Sequence, residues 1–155
     1  MMSKMRAAIV VAAIAVCVIA FPASSHEGKG HGHATGVVKE RMELMENIGK
    51  RMKTINVRIR DKQKPDAIAD EARAIATSAA HIAHLFPPGS TQPPTEARAT
   101  IWQNFPDFER KAKALEDESR KLADMNVSDV AALGAQTRAV SQTCAACHET
   151  YRLKQ

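Results

Sequence analysis

The chain has 155 residues, 45% of them hydrophobic and 4% aromatic, with a formal charge of +5 at pH 7. That length provides one core and one domain. The positive charge is modest and its bases alternate with acids, as in Arg110-Lys111-Ala112-Lys113 followed by Glu116-Asp117-Glu118, which describes solvated helix faces and argues against a nucleic-acid partner.

Residues 1–25 read as a signal peptide. Lys4 and Arg6 precede an apolar run from Ala7 to Phe21, and Ala23 and Ser25 fit the small-residue positions of a cleavage site. The run is short for a bilayer span and no later segment is longer or more apolar. Cleavage before His26 is therefore expected to release a chain without a membrane segment, a retained anchor helix being the alternative. Loss of Lys4 and Arg6 takes the formal charge from +5 to +3. Cys17 leaves with the leader, and Val18 after it is larger than a lipoprotein site would carry. Residues 26–35 hold His26, His31 and His33 among glycines without apolar periodicity, and are expected to be a flexible lead-in able at most to bind a transition metal loosely.

From residue 36 to 155 the pattern is helical. Val38, Met45, Met52 and Ile59 recur every seven residues, interleaved with Arg41, Ile48 and Ile55, which gives one long amphipathic helix. Pro65 and Asp66 start a second helix, with seam residues Ile68, Ala72, Ile75, Ala79, Ile82 and Phe86, expected to run until Pro87-Pro88-Gly89. Residues 90–94 read as loop, Glu96 to Trp102 as a short helical segment, and Pro106 as a break or kink. Phe108, Ala112, Leu115, Ser119 and Leu122 mark a third long helix. Ser128 is the expected N-cap of a fourth, whose seam runs through Val130, Leu133, Thr137, Val140, Cys144, Cys147 and Tyr151. The expected fold is all-α, an antiparallel four-helix bundle. With alanine abundant and aromatics scarce, something besides side chains is expected to fill part of its centre.

Cys144-Ala145-Ala146-Cys147-His148 is the motif that carries chemistry. In C-x-x-C-H two thiols add across haem vinyl groups and the adjacent imidazole ligates iron. On a helix the three side chains fall within about one turn. The export signal strengthens this reading, because such attachment follows export. Two rivals use the same cysteines. A zinc site could combine them with His81 and His84, although His148 would then be idle. A thiol oxidoreductase would place its C-x-x-C at the start of a helix in an α/β unit and not at the end of a helical chain.

The residues also resemble a known family, the class II c-type cytochromes or cytochrome c-prime family. The resemblance rests on Arg41-x-x-x-Met45, Phe86-Pro87, Ile101-Trp102 with Phe108, and Cys144-Ala-Ala-Cys147-His148-x-x-Tyr151-Arg152, in order over nearly the whole mature chain. It implies an antiparallel four-helix bundle with one covalent haem c near the C-terminal helix and His148 as the proximal iron ligand. It further implies that the residue four after Arg41 faces the distal side of the iron. Methionine there characterises the low-spin, six-coordinate branch, and Met45 is the expected distal ligand; its place on the seam and its flexible thioether agree with that. Met42 and Met52 read as packing.

Arg41, a charge on a seam, needs a partner, and a haem propionate supplies one. Arg152 is expected near the proximal ring face, and Trp102, with Phe105 and Phe108, along the crevice or the core. The expected function is periplasmic one-electron transfer through Met45/His148-ligated iron, with no catalytic constellation in the chain. A five-coordinate haem that binds NO or CO is the alternative, reached if Met45 only packs. The expected partners are periplasmic redox proteins and, as in similar proteins, a second copy of the chain. Lys50, Arg51 and Lys53 could steer an acidic partner, a solvated surface being the plainer account.

Overall fold

The computed structural model describes residues 34–61, 66–125 and 128–154. The expected leader, the lead-in as far as His33 and Pro65 lie outside the described residues. Among the described residues four long helices follow one another: α1 (Gly36–Arg60), α2 (Asp66–Ala80), α4 (Phe105–Ala123) and α5 (Val130–Tyr151), with a single-turn α3 (Thr100–Gln103) before α4. They form an antiparallel bundle in which α2 packs on α1 and α4, and α4 on α5, while α1 and α5 close the ring most loosely. Among the described residues no helix is long and apolar enough to cross a membrane.

The seam positions are the buried ones. Val38, Arg41, Ile48 and Ile55 of α1, Ile68, Ala72, Ile75 and Ala79 of α2, Phe108, Ala112, Leu115, Ser119 and Leu122 of α4, and Leu133, Thr137, Val140 and Tyr151 of α5 all face the interior. Met45, Met52 and Ile59 are half-buried against the same core. Gly36 opens α1 with φ at +54°, a left-handed turn into the helix that a residue with a Cβ would resist. Arg58 and Arg60 in the last turn of α1 suit the negative end of its dipole.

Three boundaries differ from expectation, each for a local reason. α2 ends at Ala80 and not at Phe86. Residues 81–85 tighten through a turn into a 3-10 segment, Ala83–Leu85, because Pro87 disfavours helical backbone at Phe86, which sits at φ −121° and ψ 55°. Ile82 and Phe86 stay buried nonetheless. The segment expected to be helical from Glu96 begins only at Thr100, because Glu96 to Arg98 pair with the chain's end instead. Leu153 N–H donates to the Glu96 carbonyl at 2.8 Å and Arg98 N–H to the Tyr151 carbonyl at 2.9 Å.

The chain breaks at Asn104, between α3 and α4, as expected next to Pro106, which itself sits in the first turn of α4, where a missing N–H costs nothing. The N-cap of α5 is Asp129, not Ser128: its Oδ1 accepts from Ala132 N–H at 2.9 Å. Val130 is consequently off the seam and 45% exposed.

Among the described residues the aromatic side chains gather at one end of the bundle, where α1 and α4 begin and α2 and α5 finish. Phe108 is the hub. Its ring lies edge-on to Phe86 at 4.7 Å and to Tyr151 at 5.4 Å, with Phe105 tilted at 5.9 Å. The last two turns of α5 end against this cluster.

Candidate functional site

Those turns carry Cys144, Cys147 and His148. The seam through Leu133, Thr137 and Val140 continues into Cys144, Cys147 and Tyr151, so both thiols are drawn half-way into the core while Ala145, Ala146 and His148 stay exposed. Both cysteines are free. Burial pushes the Cys144 thiol up, and that of Cys147 up to about 11 despite an opposing pull from Lys111. Partial burial, then the charge of Arg152, holds the His148 imidazole below its usual value, which favours the neutral form that ligates metals.

Tyr151 anchors this turn from below. It is buried, and its hydroxyl donates to Oδ2 of Asp107 in the first turn of α4 at 2.6 Å. Burial and that carboxylate push its phenol up to about 12, and the same bond holds the Asp107 carboxyl below the usual carboxylate range. The Tyr151–Asp107 pair is a site feature that the sequence did not signal, beyond an acid placed just after Pro106 in a helix's first turn.

Across the bundle, Arg41 is 4% exposed. Its Nη2 donates to the Ser90 carbonyl at 2.7 Å and its guanidinium lies 4.4 Å from the centre of the Phe86 ring. Nε and Nη1 are buried without a hydrogen-bond partner, and no carboxylate of the described residues pairs with it. Burial accordingly lowers the guanidinium from its ordinary value. A buried cation with two unsatisfied nitrogens fits an anionic group that the side chains do not provide, such as a haem propionate. Met45 sits one turn further along α1, half-buried against the core that also takes Cys144 and Cys147. Between them run α1 and α5, the loosest pair of the bundle, where a flat group can enter with least disruption.

Trp102 is partly exposed and spends its indole N–H on the carbonyls of Phe86 and Pro87, both at 3.0 Å. It therefore grips the same 86–90 turn that Arg41 holds through Ser90. Arg152, expected near the proximal ring face, acts with its charge on the His148 imidazole and pairs with Glu96, its Nε and Nη2 each 2.6 Å from Oε2. His81 and His84 are exposed with ring centres 6.4 Å apart. Among the described residues no three His, Cys, Asp or Glu gather where they could hold a metal ion, so these histidines do not meet the cysteines in a zinc site. Of the basic run on α1, Lys50 pairs with Glu46 at 2.6 Å and Arg51 with Glu71 at 2.7 Å, which leaves little charge for steering.

The family model described as Cytochrome C' matches residues 36–152. A cytochrome c-556 of Agrobacterium tumefaciens (strain II Chrys) is 35% identical over 122 residues, 77% of this chain and 98% of that one. A cytochrome c' of Rhodospirillum rubrum is 33% identical over 118 residues, 74% of this chain and 80% of its own. Among solved structures, a nitric oxide complex of a cytochrome c prime variant from Alcaligenes xylosoxidans superposes with a TM-score of 0.68 at 24% identity, covering 77% of this chain and 94% of that one. With the match spanning every long helix and ending at the residue after Tyr151, the chain belongs to the cytochrome c' family of four-helix-bundle proteins, whose cofactor is a covalently attached haem c.

Proposed function

We propose that the mature chain, beginning near His26, is a periplasmic carrier of single electrons. In this reading Cys144 and Cys147 hold the haem by thioether bonds, His148 is the proximal iron ligand and Met45 the distal one. The bound haem supplies an iron that exchanges one electron between ferrous and ferric states. The chain does the rest. Arg41 offers Nε and Nη1 to a propionate, and Phe86, held by the Arg41 cation and by Trp102, walls the crevice. The observation that carries the reading is the place of Met45: half-buried, four residues after Arg41 and on the inward face of α1, with a thioether free to turn toward the α5 side. Periplasmic redox proteins and a second copy of the chain are the partners in this reading.

A second reading, a haem with an open distal face that binds NO or CO, draws on the comparisons, which speak for it more than for the first. A relative is named cytochrome c', and a structure of the same fold was solved as a nitric oxide complex. The two readings differ at one residue, and one experiment separates them: visible spectra of the exported protein, oxidised, reduced, and reduced under carbon monoxide, beside Met45→Ala. Sharp reduced bands indifferent to carbon monoxide, and lost in the variant, support Met45 ligation. A broad high-spin spectrum that shifts with carbon monoxide whether or not Met45 is present overturns it in favour of gas binding.

A further inference from the structure

Tyr151 is the one tyrosine of the chain, and its hydroxyl makes a bond that neither haem attachment nor packing requires. A phenylalanine would fill the same buried place. The hydroxyl donates to Oδ2 of Asp107 at 2.6 Å, with the Asn104 carbonyl a poorer acceptor at 3.4 Å. The other carboxylate oxygen, Oδ1, accepts from Arg110, which fixes the group and leaves Oδ2 to the phenol. At neutral pH the phenol keeps its proton and the carboxylate is charged, because Tyr151 is pushed up and Asp107 held low. A proton donor and a ready acceptor therefore share one bond, at the reach that proton transfer needs. A buried phenol that lost an electron with no base beside it would become a buried cation, which is costly; Oδ2 removes that cost by taking the proton. Position supplies the rest. Tyr151 follows Cys147 by four residues on α5, one helical turn and about 6 Å along the axis, so the phenol lies next to any group attached there. Phe108 covers the ring edge-on at 5.4 Å, and an exposure of 3% shields it from reductants in solution.

We propose that Tyr151 and Asp107 form a proton-coupled electron donor to hydrogen peroxide reacting at the haem, the phenol giving one electron while its proton crosses to Asp107. This rests on haem attachment at Cys144 and Cys147; the distal ligand decides only how readily peroxide reaches the iron. Peroxide takes up two electrons, and two protons from solvent, as its O–O bond breaks and two waters form. Ferrous iron gives one electron and ends ferric. Tyr151 gives the other and ends as a neutral phenoxyl radical, its own proton having crossed the 2.6 Å bond to Oδ2. The second oxidising equivalent is thereby confined to one buried ring. A one-electron reductant later restores the phenol, with the proton returning from Asp107. Arg110 and Lys111 favour that return, since both draw the carboxylate toward its charged form.

The test mixes the ferrous, haem-loaded protein with one equivalent of hydrogen peroxide, freezes it rapidly and records the electron paramagnetic resonance spectrum. Met45→Ala is run beside it, so that the iron is open to peroxide whichever distal reading holds. A phenoxyl signal that narrows when the protein carries ring-deuterated tyrosine identifies Tyr151, the chain having no other tyrosine. Tyr151→Phe should lack the signal. Asp107→Asn, which keeps an acceptor oxygen but no base, should form it about a hundredfold more slowly. With both residues intact, formation should also slow in D2O, a readout that needs no variant of the pair. A radical on Trp102, the one tryptophan, an equal rate in Asp107→Asn, or the same rate in D2O would each overturn the proposal. A covalent haem spectrum without a phenoxyl signal in Met45→Ala overturns it alone, whereas absence of a covalent haem spectrum overturns the attachment on which it rests.

Discussion

Arg41 donates to the Ser90 carbonyl at 2.7 Å while two of its three guanidinium nitrogens stay buried and unpaired. A cation so placed is a liability in the haem-free chain and an anchor once an anion arrives. Arg41→Met should therefore change the stability of a haem-free Cys144→Ala/Cys147→Ala chain by less than about 1 kcal/mol, since relief of unsatisfied nitrogens offsets the lost Ser90 bond and Phe86 contact. In the haem-loaded protein the same substitution should cost about 3 kcal/mol, as breaking a buried ion pair does. Denaturant melts of both forms decide it. Equal losses in the two would remove the propionate role from Arg41.

The bond between Tyr151 and Asp107 makes stability depend on pH at both extremes. The Tyr151 phenol is raised to about 12, so its contribution is complete below the ordinary value near 10 and is lost as pH rises through 12. Asp107 is lowered, chiefly by the Tyr151 hydroxyl, so its contribution is present above the usual carboxylate value near 4 and is lost as pH falls below it. Tyr151→Phe should be less stable at neutral pH. It should lack the decline between about pH 10 and 12 and show a weaker decline below about pH 4. Chemical denaturation across that range measures both limbs, and an unchanged alkaline limb would mean that the phenol is not coupled to folding.

The seams of this bundle were legible in the sequence because burial on a helix follows a fixed period: Ile48, Ile55, Ile68, Ile75, Leu115 and Leu122 fall where the heptads put them. Helix ends were less legible, since they depend on partners remote in sequence. Nothing local shows that Glu96 to Arg98 will pair with Tyr151 to Leu153, or that Phe86 will leave the helix while remaining in the core. At the site, Cys144, Cys147 and His148 are a contiguous motif and could be read directly. The Ser90, Asp107 and Glu96 contacts to Arg41, Tyr151 and Arg152 join residues 44 to 56 positions apart and carry no pattern.

Trp102 shows how such contacts act on the site without touching it through the motif. Its indole N–H is shared by the Phe86 and Pro87 carbonyls, and the turn they belong to also presents the Ser90 carbonyl to Arg41. Trp102→Phe keeps an aromatic ring in place and removes the donor, which should cost about 1–3 kcal/mol. The loosened turn should also weaken the hold of Arg41. The difference between haem-loaded and haem-free stability should then shrink in Trp102→Phe, whereas a purely local packing role would lower both forms alike.

Ile55 provides the opposite case, a residue that matters to the fold and not to the site. It is fully buried at 0% exposure and lies fourteen residues after Arg41 on α1, about 21 Å along the helix from the crevice end. Ile55→Ala should remove about 2–5 kcal/mol, the sum of lost transfer energy and the cavity left among packed side chains. Because the cavity opens toward the far end of the bundle, the visible spectrum and carbon monoxide response of the haem-loaded protein should match wild type at temperatures where the variant is folded. A changed spectrum at full folding would mean that α1 transmits packing along its length to Met45, and that the distal face is set by the whole helix and not by its first turns.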